Sequence, residues 1–258
     1  YLDKIEKKDK ALNSYITVCS ESALSDAESA QKAIDTGSAS ALTGIPLSIK
    51  DNICTDGIRT TCASKMLEDF VPFYDATVIS KLKSEGAVIL GKTNMDEFAM
   101  GGSSQTSYFG GIKNPYDTDC VTGGSSGGAA ASVSANLCAA ALGSDTGGSV
   151  RQPSVFCGVT GLKPTYGAVS RWGLIAFASS LDQIGVIGKC AEDTGYVLNC
   201  ISGSDKNDAT SSNTALGDCL SLIGTDVSGM KIGVPKEFLD GVSDEVKSAV
   251  LAAVDYYK

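Results

Sequence analysis

Three residues in this chain have types and settings that could carry nucleophilic chemistry. Lys50 ends the run Pro46-Leu-Ser-Ile-Lys50, Ser125 lies in Gly123-Gly-Ser-Ser-Gly-Gly128, and Ser149 lies in Gly143-Ser-Asp-Thr-Gly-Gly-Ser-Val-Arg-Gln-Pro153. The chain contains no histidine, so a serine here cannot be activated by imidazole and a Ser-His-Asp arrangement is excluded. A neutral lysine amine is the alternative base. Free lysine titrates near about 10.4, so burial must depress Lys50 by roughly 2.5 to 3.5 units before it can serve at neutral pH. The apolar and weakly polar residues before Lys50 suit that desolvation. Together the three segments can make a Ser-Ser-Lys hydrolase.

Each residue also has a plainer reading. Lys50 could reach solvent from a strand end or pair with Asp51. Ser149 could be the N-cap of a helix opening at Val150-Arg-Gln-Pro153. The glycine-serine block could be a phosphate cradle, but it lacks the Gly-Lys-Ser/Thr of a P-loop and the Gly-x-Gly-x-x-Gly spacing of a dinucleotide fold.

The elements that must position these residues read as α/β. Helical periodicity is expected over 22–35, followed by a strand over Ile45–Lys50, a helix over 76–85, a strand over 87–90 and a short helix over 95–100. This alternation is that of an α/β sandwich. From Gly101 to Gly188 the chain carries most of its 29 glycines, with only a helix over 128–137 and a strand over 138–142 as convincing regular pieces. Those glycines are expected to serve close backbone approach rather than linker flexibility. A helix over 191–201, a polar loop over 205–213, a strand over 230–234 and a final amphipathic helix over 243–258 complete the reading. The whole, 1–258, is expected to form a single catalytic domain, truncated at its C-terminal end and lacking a short N-terminal segment.

Bulk properties narrow the classes. A net charge of −9 over 258 residues speaks against a nucleic-acid surface on this chain alone. No apolar run approaches the roughly 20 residues needed to span a bilayer. With no secretory leader read at the start, a cytoplasmic, bacterial-type setting is expected, an organellar one remaining open. Nine scattered cysteines, with no Cys-x-x-Cys pair, read as free buried thiols rather than a disulfide framework, and they offer no zinc-ligand spacing.

The set Lys50, Ser125 and Ser149, 75 and 24 positions apart, in these glycine contexts resembles the amidase signature family. Further blocks, Ile49-Lys-Asp-Asn-Ile53, Thr60-Thr-Cys-Ala-Ser-Lys-Met-Leu67, Gly91-Lys-Thr-Asn-Met-Asp-Glu-Phe-Ala-Met-Gly101, Gly161-Leu-Lys-Pro-Thr-Tyr-Gly167 and Ala176-Phe-Ala-Ser-Ser-Leu-Asp-Gln-Ile-Gly185, are similar to its subfamily of glutamyl-tRNA(Gln) amidotransferase A subunits. The resemblance implies an α/β/α sandwich with a large mixed central β-sheet. It implies Ser149 as the nucleophile on the side-chain amide of glutamine, Ser125 as the bridging serine after a cis Gly124–Ser125 bond, and Lys50 as the base. The N–H groups of Thr146, Gly147 and Gly148, with that of Ser149, would form the oxyanion hole.

Asp145 and Arg151 are expected to brace the loop. The resemblance further implies no cofactor in this chain, ATP and Mg2+ being used by a partner, and a heterotrimer with the amidotransferase B and C subunits in which tRNA is held through the partner. Thr122 and Val186 stand where relatives often carry proline. Subunits of the kind are nearly twice as long, and the groups that clamp the substrate lie largely in the half this chain lacks. A stand-alone amidase acting on another carboxamide and an inactive fragment are the alternatives.

Overall fold

The computed structural model describes residues 1–213 and 216–258. Two compact units divide it, Tyr1–Ile223 and Gly224–Lys258. The first opens with α1 (Leu2–Leu12), β1 (Tyr15–Val18), α2 (Ser20–Asp35) and β2 (Pro46–Lys50). It continues through α3 (Thr77–Ser84), β3 (Val88–Thr93), α4 (Gly127–Ser134) and β4 (Ala140–Asp145). It closes with α5 (Arg151–Phe156), β5 (Thr160–Leu162), β6 (Gln183–Gly188) and α6 (Ala191–Ile201). The second unit holds α7 (Asp244–Tyr256), whose N-cap Ser243 accepts a hydrogen bond from Val246 N–H.

The sheet is mixed, in the order β1-β3-β2-β4-β6-β5. β2 pairs in parallel with both β3 and β4, whereas β1, β6 and β5 join antiparallel. Strand side chains alternate between faces, and two cores follow. Leu47, Ile49, Ile89, Leu142, Ile184 and Val186 pack under α3 and α6 with Val78, Ile79, Leu82, Val197, Leu198 and Ile201. Val88, Leu90, Ala141 and Ile187 pack on the other face with Ile5, Ala23, Ala129 and Val133. Helices therefore cover both faces, and the expected α/β/α arrangement around a mixed sheet is the one observed.

Residues of one parity on β2 feed the α3/α6 core; those of the other, Ser48 and Lys50, are buried without belonging to it. Ser48 meets the hydroxyl of Tyr15, a member of the second core, in a short hydrogen bond. That parity turns Lys50 toward the face on which α4 lies. All of α4 from Gly127 to Val133 is buried. Its small residues let it sit close: a β-carbon on Gly128 would fall 2.4 Å from the carbonyl oxygen of Asn94.

Several expectations require correction. The strand expected over 230–234 does not form; Met230 and Ile232 are exposed, the segment pairs with no described strand, and without a ladder partner an apolar alternation alone does not make a strand. The short helix over 95–100 is a 3₁₀ turn, Glu97–Ala99, with Phe98 at φ 50°. The glycine-rich middle contains more regular structure than its composition suggests, namely α5, β5 and β6. In β6 the glycines serve packing, since a β-carbon on Gly185 would meet the carbonyl oxygen of Leu162 at 2.5 Å. All nine cysteines are unpaired, but only Cys54, Cys62, Cys138 and Cys157 are buried, and Cys120 and Cys190 are exposed. No helix among the described residues is long and apolar enough to cross a membrane.

Candidate active site

Lys50 stands at the C-terminal end of the central strand β2, fully buried. Its Nζ lies 2.7 Å from Ser125 Oγ, in the segment that leads into α4. It also donates to Ser144 at the end of β4, to Oγ at 2.9 Å and to the carbonyl oxygen at 3.3 Å. Burial, the largest influence, pulls the amine from its ordinary value down to about 7; Asp96, Asp145, Cys62 and Asp182 pull in the opposite direction. The depression needed for a neutral base is thus reached by desolvation, with the surrounding acids limiting it. Lys50 is neither solvated nor paired with Asp51.

Asp51 faces a second buried lysine instead, one that lies inside the Gly91–Gly101 block but was not named as a candidate. Lys92 Nζ is 3.8 Å from Asp51 Oδ1 and donates to the carbonyl oxygen of Ile53 and to Thr60 Oγ1, at 2.8 and 2.5 Å. Asp51 Oδ2 accepts from the Thr61 N–H and hydroxyl. This pair knits the Ile53–Thr61 loop to β3. Of the two buried lysines, Lys50 is the one whose amine meets the glycine-rich serines.

The peptide bond between Gly124 and Ser125 is cis. The segment is fixed from several sides. Gly124 N–H donates to Gln152 Oε1 at 3.0 Å, Asp96 N–H donates to the Ser125 carbonyl at 3.2 Å, and Ser126 N–H donates to the Ser149 carbonyl at 3.1 Å. That last bond ties the two glycine-serine loops together through their backbones. The side chains of Lys50 and Ser125 are in contact; Ser149, half-buried, makes no side-chain hydrogen bond to a described residue.

Ser149 precedes α5 without capping it, since the N-cap position falls on Val150. The capping acceptor is the buried carboxylate of Asp145, which takes the N–H groups of Gly148, Val150 and Arg151 at 2.8, 3.0 and 3.3 Å. Arg151 grips the same carboxylate with Nε at 3.1 Å and Nη2 at 2.9 Å. Burial raises the Asp145 carboxyl, but these hydrogen bonds outweigh it and hold the group below its usual range.

Of the expected oxyanion donors, Gly148 is the one that meets an acceptor within the turn. Its N–H is already spent on Asp145 Oδ1, because a helix N-terminus needs an acceptor and this carboxylate supplies it. Among the described residues, the N–H groups of Thr146, Gly147 and Ser149 have no acceptor. Thr146 is anchored through its hydroxyl, which donates to Asp182 Oδ1 at 2.5 Å. Asp182 in turn holds the Phe177 and Ala178 N–H groups. It also borders a cavity of about 340 Å³ lined by Tyr74, Arg171 and Trp172.

Ser144, Asn52, Asp96 and Gln152 surround the candidate site and were not singled out from the sequence. Asn52 lies two positions after Lys50, and Ser144 adjoins Asp145, so both lay inside recognisable motifs. What carried no signal was that β2 and β4 are neighbours. No cluster of acidic, cysteine or histidine side chains that could hold a metal ion occurs among the described residues.

Known proteins resemble this chain in sequence and fold. The amidase family model matches residues 1–256. The chain is 55% identical over 257 residues to the A subunit of the glutamyl-tRNA(Gln) amidotransferase of Lachnoclostridium phytofermentans, covering 98% of this chain and 52% of that protein. It is 57% identical to the corresponding A subunit from Ruminiclostridium cellulolyticum, covering 99% and 53%.

Among solved structures, the glutamyl-tRNA(Gln) amidotransferase A subunit of Thermotoga maritima superposes with a TM-score of 0.83 at 47% identity, over 96% of this chain and 52% of that one. The native peptide amidase of Stenotrophomonas maltophilia gives 0.80 at 37% identity, over 84% and 47%. The chain spans about half the length of these relatives.

Proposed function

The chain belongs to the amidase family, and on that premise we propose that it carries the ammonia-generating, glutamine-hydrolysing site of a glutamyl-tRNA(Gln) amidotransferase. The observation that carries the reading is the buried Lys50 amine, drawn down to about 7 and 2.7 Å from Ser125 Oγ. The identity to amidotransferase A subunits supports glutamine as the carboxamide.

In the proposed reaction Ser149 Oγ attacks the side-chain carbonyl carbon of glutamine. Its proton passes to Ser125 as the Ser125 proton passes to Lys50. The resulting oxyanion is held by backbone N–H groups of the Thr146–Ser149 turn, with Thr146, Gly147 and Ser149 as the donors that have no competing acceptor. Collapse of the tetrahedral species returns a proton to the departing nitrogen, releases ammonia and leaves a glutamyl ester on Ser149, which water hydrolyses. Thr146 and Gly148 hold the shape of the turn, one through Asp182 and the other through Asp145.

No cofactor is proposed for this chain. ATP and Mg2+ are assigned to a partner of the B type, which would bind the tRNA and aminate Glu-tRNA(Gln), with a small C-type partner completing a heterotrimer. The acidic balance of −9 suits a glutaminase that leaves tRNA to its partner, and a cytoplasmic, bacterial-type setting goes with the reading.

The likeness to a peptide amidase supports a second reading, a stand-alone amidase acting on another carboxamide. Labelling the complete polypeptide with an electrophilic glutamine analogue and locating the adduct by mass spectrometry separates the possibilities. An adduct on Ser149, with ammonia release from glutamine that rises when the tRNA-binding partner is added, is the expected result. A labelled cysteine, or turnover of simple amides without glutaminase activity, overturns it.

A further inference from the structure

The Lys50 amine has three polar neighbours: Ser125 Oγ at 2.7 Å, Ser144 Oγ at 2.9 Å and the Ser144 carbonyl oxygen at 3.3 Å. A neutral amine has two N–H donors and one lone pair, whereas an ammonium has three donors and no lone pair. The three neighbours therefore match the ammonium in number. When the amine is neutral, the two Ser144 oxygens can take both N–H groups, leaving the lone pair for the Ser125 hydroxyl.

Ser144 is itself tightly placed. Asn52 Nδ2 donates to its Oγ at 3.0 Å, so Asn52 and Lys50 together occupy both lone pairs of that oxygen. Ser126 Oγ donates to its carbonyl at 3.1 Å and accepts from its N–H at 3.4 Å. Both Ser144 and Asn52 are buried, so water does not supply the same contacts.

We infer that Ser144, held by Asn52 and Ser126, is a positioning residue that turns the Lys50 lone pair toward Ser125 and then receives the ammonium formed by proton transfer. The inference rests on the reading of Lys50 as the base. In that step the Ser125 O–H bond breaks, its proton forms the third N–H bond on Lys50, and Ser125 oxygen takes the proton leaving Ser149. Ser144 contributes acceptors only and exchanges no proton.

Hydrogen bonds from a charged donor are about twice as strong as neutral ones, so Ser144 favours the ammonium over the amine. It acts in the same direction as Asp96, Asp145, Cys62 and Asp182, the acidic groups that bear on Lys50, and against burial.

The test is steady-state glutamine hydrolysis by the complete enzyme across a pH series, for wild type and for Ser144→Ala, Ser144→Thr and Lys50→Ala. Ser144→Ala is expected to lower kcat by roughly 10- to 100-fold, the worth of a hydrogen bond to a charged group. KM should change little, and the acid limb of kcat should move to lower pH by about one unit. Ser144→Thr, which keeps the hydroxyl, should restore both, and matched melting temperatures check that the variants are folded. A folded Ser144→Ala enzyme with wild-type kcat, or one whose loss in kcat comes without a downward shift of the acid limb, overturns the inference. An active Lys50→Ala enzyme instead overturns the base assignment, whatever Ser144→Ala does.

Discussion

The carboxylate of Asp96 lies against the α-carbon of Gly124, so close that a β-carbon on that glycine would fall 2.1 Å from Oδ2. The same carboxylate accepts from Ser104 N–H at 2.9 Å and Thr106 Oγ1 at 2.9 Å, while Asp96 N–H holds the Ser125 carbonyl. Asp96 therefore joins the loop after β3 to the peptide that presents Ser125. Gly124→Ala should destabilise the fold by about 1–3 kcal/mol through overpacking and remove most activity, because the clash displaces Ser125 from Lys50. Thermal denaturation alongside ammonia release measures both; an Ala variant with wild-type turnover would show that the approach of Asp96 is incidental.

Lys50 gives a pH dependence with a defined sign. Its amine is drawn down to about 7, so the rate should fall as pH drops below about 7, approaching tenfold per unit, as the base becomes protonated. Stability moves the same way. Between about 7 and 10.5 the unfolded chain retains a proton on this lysine that the folded chain has released, so stability rises with pH in that window. Relative to Lys50→Met, the wild-type protein should gain stability from pH 7 to pH 10, read from denaturant midpoints at several pH values. A difference that is flat or of opposite slope would show that Lys50 is not held neutral.

The chemistry of this site was more legible in the sequence than its geometry. The absence of histidine, together with two serines in glycine-rich turns and a lysine after an apolar run, made Lys50 the candidate base. The two-residue period of β2 explains why that amine faces α4, for Leu47 and Ile49 occupy the opposite core. What stayed hidden depended on tertiary pairing. Ser144 reaches Lys50 because β2 and β4 are neighbours, a fact no local pattern encodes. The glycine-dense β6 was unreadable as a strand because its glycines answer to the carbonyl of Leu162, and Met230–Val234 alternated like a strand with no described strand to pair with.

Asp145 and Arg151 are expected to act on the turn's rigidity. Asp145→Ala leaves the N–H groups of Val150 and Arg151 without their acceptor and should cost about 2–4 kcal/mol, the range for a disrupted buried network. The folded fraction should keep most of its plateau turnover, since the carboxylate touches no group in the proposed proton path. Because its folded-state value lies below the ordinary 3.8, its stabilisation is present above that value and is lost as pH falls through the lower one. The wild-type advantage over Asp145→Ala should therefore shrink in acid-denaturation curves. A selective loss of kcat at unchanged stability would instead move Asp145 into the chemistry.

Gly147 and Gly148 are adjacent but answer to different constraints, and substitution should separate them. Gly148 has φ +123°, a conformation that side-chain-bearing residues rarely adopt, and its N–H is bound to Asp145. Gly148→Ala should cost roughly 1–3 kcal/mol in backbone strain and reshape the turn that carries Ser149. Gly147 has an ordinary φ, and a β-carbon there would meet nothing within 4 Å. Gly147→Ala should therefore melt close to wild type. If its activity nevertheless falls through KM, the open space above Gly147 is where substrate sits; if kcat falls at constant KM, the methyl group disturbs the N–H aimed at the oxyanion. Equal melting temperatures for the two variants would contradict the assignment of strain to Gly148.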